Sequence, residues 1–136
     1  MMANELLTVE HLQKFAENIS PYLGVNSNIY SLEEKQIGSW VDGKPVYQKV
    51  VYINSLPNNT TTNYAHGISD ISTIVGVESF VKLPSECVAS TPWVVSGDDT
   101  ETITVSVGLT YIQIATKKDR TSMSSYVILR YTKTTD

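Results

Sequence analysis

An antiparallel β-sandwich, jelly-roll-like and preceded by a short N-terminal helix, is the fold class this sequence predicts. Three observations predict it. Hydroxyl side chains rather than charges supply the polar surface: fifteen threonines and fifteen serines stand among 136 residues, of which 18% are charged, against roughly 25% in an average soluble domain. Apolar positions recur every second residue through most of the chain, the period of a half-buried strand. The first twenty-eight residues alone break that rhythm, with apolar positions three or four apart. The chain therefore divides into an anchoring or oligomerisation helix within residues 1–28 and a sandwich head over residues 29–136, long enough for one complete core.

The helix is read from Val9, Leu12, Phe15, Ala16 and Ile19, which share one face. Thr8 suits the N-cap and Glu10 the positive end of the helix dipole. A capping box is not expected, because the third residue after Thr8 is His11 rather than Glu or Gln. Pro21 and Gly24 are expected to end the helix after about three turns. A helix so short is marginal alone in water, so its apolar face must pack on its own domain or on another chain. Val9, Ala16 and Leu23, with Leu12 and Ile19, fit a and d positions of two heptads. Residues 25–35 read as a hinge.

The strands follow. Gly38–Val41 and Pro45–Ile53 are expected to form a hairpin around Asp42-Gly43-Lys44-Pro45, where Gly43 can take positive φ and Pro45 fixes the exit. Trp40 and Tyr47 flank this turn and are expected to pack on one another or in the core. Thr73–Val81 is the next strand, with Gly76 marking a bulge. Thr102–Val107 and Thr110–Ala115 alternate cleanly, and Tyr126–Tyr131 closes the sheet. Residues 54–63, 83–92, 96–100 and 117–125 are read as loops.

The run from Tyr30 to Lys49, YSLEEKQIGSWVDGKPVYQK, followed by Leu56-Pro57-Asn58-Asn59 and Ala65-His66-Gly67-Ile68 and ending in Arg130–Asp136, resembles a structural module of bacteriophage and prophage virion proteins. Its form there is YSxEExxIGxWxDGKPxYxK, and the likeness covers residues 30–136. The resemblance implies a virion appendage, a head fibre or a tail or baseplate fibre, built as a homotrimer. It implies a protein made in the bacterial host cytoplasm and displayed on the particle, with the N-terminal segment contacting capsid or baseplate. Adhesion to host-surface or environmental glycans is the expected task. The alternatives are a tail or baseplate receptor-binding fibre, and a carbohydrate-binding module of a phage lytic enzyme.

Composition narrows the chemistry. A net charge of -4 and a pI near 5.1 disfavour nucleic acid, whose phosphates need a basic face. No run approaches the ~18 apolar residues of a membrane helix, so no membrane insertion is expected. Met1–Glu5 lacks the features of a signal peptide. Neither catalytic residues nor a cofactor are expected. The two histidines are far apart in sequence, no nucleophile elbow occurs, and the carboxylates are scattered over turns and helix. His66 is expected to be a neutral side chain satisfied by backbone groups, and Cys87 a small buried hydrophobe. Asp98, Asp99 and Glu101 offer calcium three carboxylates where it takes six to eight oxygens, so no metal is expected. Lys117-Lys118-Asp119-Arg120 reads as a solvated turn, and Glu33 and Glu34 as a solvated approach to a strand. Tyr64, Trp93, Tyr111 and Tyr126 are the candidates for stacking on a sugar ring, the alternative being that these rings fill the core or an oligomer interface.

Overall fold

A computed structural model describes residues 8–23 and 29–136. It places one helix, α1 (Val9–Leu23), before nine strands: β1 (Lys35–Ser39), β2 (Pro45–Ile53), β3 (Thr61–Ala65), β4 (Ile71–Lys82), β5 (Val88–Ser90), β6 (Trp93–Val95), β7 (Asp98–Val107), β8 (Tyr111–Thr116) and β9 (Ser124–Lys133). The strands form two antiparallel sheets, of order β1-β2-β9-β4-β5 and β3-β8-β7-β6. The predicted fold, a mainly β antiparallel sandwich behind a short helix, is the fold observed.

Alternation sets the core. On β9, Val127, Leu129 and Tyr131 point inward and meet Ile112 and Ile114 of β8 and Ile103 of β7, all fully buried. On β7, Thr104 and Ser106 hold their hydroxyls outside while Ile103 is sealed. β2 pairs with β9 and β3 with β8, the nested pairs of a chain rolled across two sheets. β6, β7 and β8 then run as a plain meander.

Three strands are not read from the sequence: β5 lies in a segment read as a loop, β3 begins in one, and β6 lies between two. β3 has only Thr62 and Tyr64 facing in, too little apolar signal to register against Thr61 and Asn63. β5 and β6 are three residues each, shorter than the alternation needed to show a period. The bulge on β4 lies where Gly76 places it, with a register shift between Ile74 and Gly76.

The β1–β2 hairpin turns two residues earlier than expected. Trp40 N–H donates to the Lys44 carbonyl at 2.8 Å, Gly43 N–H to the Trp40 carbonyl at 2.9 Å, and Asp42 Oδ1 accepts from Lys44 N–H at 3.0 Å. Gly43 sits at φ +87°. This is a tight turn closed by a left-handed residue, and it carries Trp40 and Val41 into solvent. Trp40 is 40% exposed and outside the core, contrary to expectation, while Tyr47 stacks on Tyr131 with centroids 6.1 Å apart.

At α1, Thr8 Oγ1 accepts from His11 N–H at 3.2 Å and His11 Nδ1 accepts from Thr8 N–H at 3.3 Å. The reciprocal cap predicted to be missing is therefore present, because an imidazole nitrogen does the work of Glu or Gln. The helix runs through Pro21 to Leu23, fifteen residues in all, rather than stopping at the proline. Val9, Leu12, Phe15 and Ala16 are exposed, and the side chains of Ile19 and Leu23 lie outside the described residues. So does the first part of the expected hinge. Its later part is no free hinge: Gln48 Nε2–H donates to the Ile29 carbonyl at 2.7 Å and Val50 N–H to the Ser31 carbonyl at 2.8 Å, which ties residues 29–31 to β2.

Candidate functional site

Residues from the 30–49 run, the 65–70 link and the C-terminal strand gather at one end of the five-stranded sheet. Glu34 precedes β1, Tyr47 and Lys49 lie on β2, His66–Asp70 link β3 to β4, and Tyr131 and Lys133 finish β9. The Tyr131 hydroxyl donates to Glu34 Oε1 at 2.5 Å, and Lys133 pairs with Glu34. Lys133 Nζ also lies 3.9 Å from Asp70 Oδ2 and 4.5 Å from the centre of the Tyr47 ring, close enough for cation–π attraction. Burial, and then the hydrogen bond to Glu34, push the Tyr131 hydroxyl well above the ordinary tyrosine range. The bond to Glu34 raises Lys133 as well. Glu34 is exposed, as expected of the approach to a strand, and it is also a strand clamp.

His66 is sealed at 2% exposure. Its Nδ1 accepts from Ile68 N–H at 3.2 Å, and its Nε2 lies 3.1 Å from the Gly108 carbonyl. The acceptor at one nitrogen leaves the other to donate, the neutral form expected. Lys49 Nζ caps the His66 carbonyl at 2.9 Å, and Gly67 turns beneath it at φ +74°. Between these groups opens a polar cleft of about 370 Å³, lined chiefly by Glu33, Glu34, Lys49, Ser69, Asp70 and Lys133. Sequence reasoning missed it because its walls lie as much as ninety-nine residues apart. The signal that could have found it was the pattern itself, whose Glu, Tyr, Lys and His positions converge here.

The acidic loop behaves differently from a ligand set. Asp98 accepts from Thr100 N–H and Oγ1, Asp99 pairs with Lys117, and Glu101 with Lys118 and Arg120, so the three carboxylates face separate partners. Arg120 is buried at 7% exposure. It reaches Glu101 Oε2 at 2.6 Å and lies 5.2 Å from the centre of the Trp93 ring. The solvated basic turn is corrected accordingly: its arginine closes the end of the sandwich. Cys87 is also corrected, since it is exposed in a turn where Glu86 takes φ +67°.

The four candidate aromatic residues do not share a surface. Tyr64 packs on the core and donates to the Ser55 carbonyl at 3.0 Å. Trp93 packs on the core under Arg120. Tyr111 lies outward on β8, with its ring against Gly108. Tyr126 faces out from the other sheet, between Tyr52 at 4.9 Å and Phe80 at 5.7 Å. It borders an apolar groove of about 450 Å³ with Tyr30, Leu32, Val50, Phe80 and Ile128.

Among the described residues, no helix is long and apolar enough to cross a membrane. Compared with protein-family models, with curated proteins and with solved structures, the chain matches none.

Proposed function

We propose that the chain is a non-enzymatic subunit of a bacteriophage virion appendage, a homotrimeric head fibre whose helix anchors or assembles it and whose sandwich is displayed. The observation that carries this reading is the pairing of a self-contained β core with a helix whose apolar stripe is left in solvent: Val9, Leu12 and Phe15 are 75%, 52% and 62% exposed. Such a stripe needs a partner chain. The resemblance of residues 30–136 to phage virion modules supplies the context. Its shared residues are spent on clamping strands, as the Glu34–Tyr131–Lys133 network shows, which suits a display scaffold.

Adhesion to glycans belongs to the same reading. Donors (Lys49, Ser69, Lys133) and acceptors (Glu33, Glu34, Asp70) both line the polar cleft, as sugar hydroxyls require, and three copies multiply a weak single-site affinity. Multi-angle light scattering on the full chain tests the assembly: three chains per particle are expected, and a monomer at micromolar concentration overturns it. Antibody against the sandwich should decorate the heads of intact particles, and labelling confined to the tail moves the subunit to a tail or baseplate fibre.

A further inference from the structure

We infer that the apolar groove on the outer face of the five-stranded sheet receives helix α1 of a neighbouring copy. The inference rests on the assembly reading above and gives it a contact. Val50 and Ile128, 9% and 8% exposed, form the groove's floor. Tyr30, Leu32, Phe80 and Tyr126 form its walls. Tyr30 is 57% and Leu32 61% exposed, so the walls stand open to solvent. The lining is almost wholly carbon, which gives a sugar few hydrogen-bond partners but suits apolar side chains from a peptide.

The same chain carries a surface of the complementary kind. Val9, Leu12 and Ala16 stand at i, i+3 and i+7 on α1, with Phe15 beside them. This is the anchor spacing of an amphipathic helix laid in a groove. Helix stripe and groove are both uncovered in the single chain, and both belong to every copy. The wall residues Tyr30 and Leu32 sit on the segment that follows the helix, so helix and groove are joined by a short tether. Leu23 and Ile29 are six residues apart, a reach of at most about 20 Å. A helix seated in the next copy's groove is a head-to-tail contact, and when its rotation closes it makes a ring, of three here.

Co-expression of two full-length chains tests this, both with Cys87→Ser, one with Phe15→Cys and the other with Tyr126→Cys. After mild oxidation, a disulfide joining residue 15 of one chain to residue 126 of the other is expected by mass spectrometry. The surface variant Leu32→Lys should convert the three-chain species to a monomer by light scattering while its circular dichroism stays that of the folded sandwich. Cross-links only between Phe15→Cys chains, with Leu32→Lys still assembled, mean that helices bundle with one another. That outcome overturns the groove contact and leaves the homotrimer standing. A third chain carrying Phe15→Cys and Tyr126→Cys together should link between copies. A link formed only within that chain also overturns the contact, because the helix then fills its own groove. A wild-type chain that is monomeric throughout defeats the assembly reading itself.

Discussion

Two charged clusters bracket β9, and their side chains set how this protein responds to pH. Below β9, hydrogen bonds from Lys118 and then Arg120 hold the Glu101 carboxyl under its usual carboxylate range, and Thr100 and Thr121 do the same for Asp98 and Asp119. A carboxyl depressed in the folded state stabilises it above the ordinary carboxyl pKa and loses that contribution as pH falls through the depressed value. Above β9, Tyr131 and Lys133 are raised. Their contribution is complete below their ordinary values, about 10, and fades as pH climbs past them. Thermal melting should therefore hold level at mid-range pH and fall on both flanks. Glu101→Gln is expected to flatten the acid flank, and Tyr131→Phe the alkaline one. Tyr131→Phe also removes a hydrogen bond to a charged acceptor, so urea unfolding should show a loss of about 1.5–3 kcal/mol. Arg120→Ala should cost about 2–3 kcal/mol in the same assay, somewhat under the range for a fully buried pair because the Glu101 side chain keeps 23% exposure. Neither cluster was legible residue by residue. Glu34 and Lys133 lie ninety-nine positions apart, and a lone arginine in a polar run looks the same in sequence whether it is buried or solvated.

Elements were legible in proportion to their length. β2, β4, β7, β8 and β9 run six to twelve residues, long enough for β-branched and aromatic content to mark the strand. Alternation also marks the buried face on β2, β7 and β8, whereas bulges interrupt it on β4 and β9 is nearly continuously apolar from Tyr126 to Tyr131. β5 and β6 hold too few residues to show a period. β3 earns its place from β8 beside it, through pairs from Thr61 with Ala115 to Ala65 with Tyr111, a non-local cause invisible in its own residues. Turn chemistry was more local and therefore more legible: Asp42-Gly43 was read as the reversal, although the turn begins at Trp40. Gly43 lies in the left-handed region with nothing within 4 Å of where a Cβ would stand, so Gly43→Ala meets backbone strain alone. It should cost about 1–2 kcal/mol, read as a lower urea midpoint with an unchanged slope. A larger loss would mean that the strain spreads along the hairpin to the clamp at Tyr47.

At the scale of the whole molecule, the question is what holds α1 in place. Spacing showed one apolar face and left its partner open between its own domain and another chain. The structure leaves that face in solvent, with every described side chain from Thr8 to Asn18 exposed. Fifteen residues sit at the edge of what a helix sustains alone in water, roughly 12–15 residues even in favourable sequences, and the Thr8–His11 cap adds only about 1 kcal/mol. A helix with that little support within its chain should be only partly formed at high dilution and should gain order as chains associate. Far-ultraviolet circular dichroism of the full chain is therefore expected to show a helical signal that grows with protein concentration. The tyrosine signal of the sandwich should melt at a concentration-independent temperature wherever the helix is dissociated. Phe15→Ser removes the largest apolar group among the described helix side chains and should abolish the growth without moving the sandwich transition. Full helical content at all dilutions would mean that α1 is held by its own chain, and the stripe of Val9, Leu12, Phe15 and Ala16 would then lose its claim to be an assembly surface.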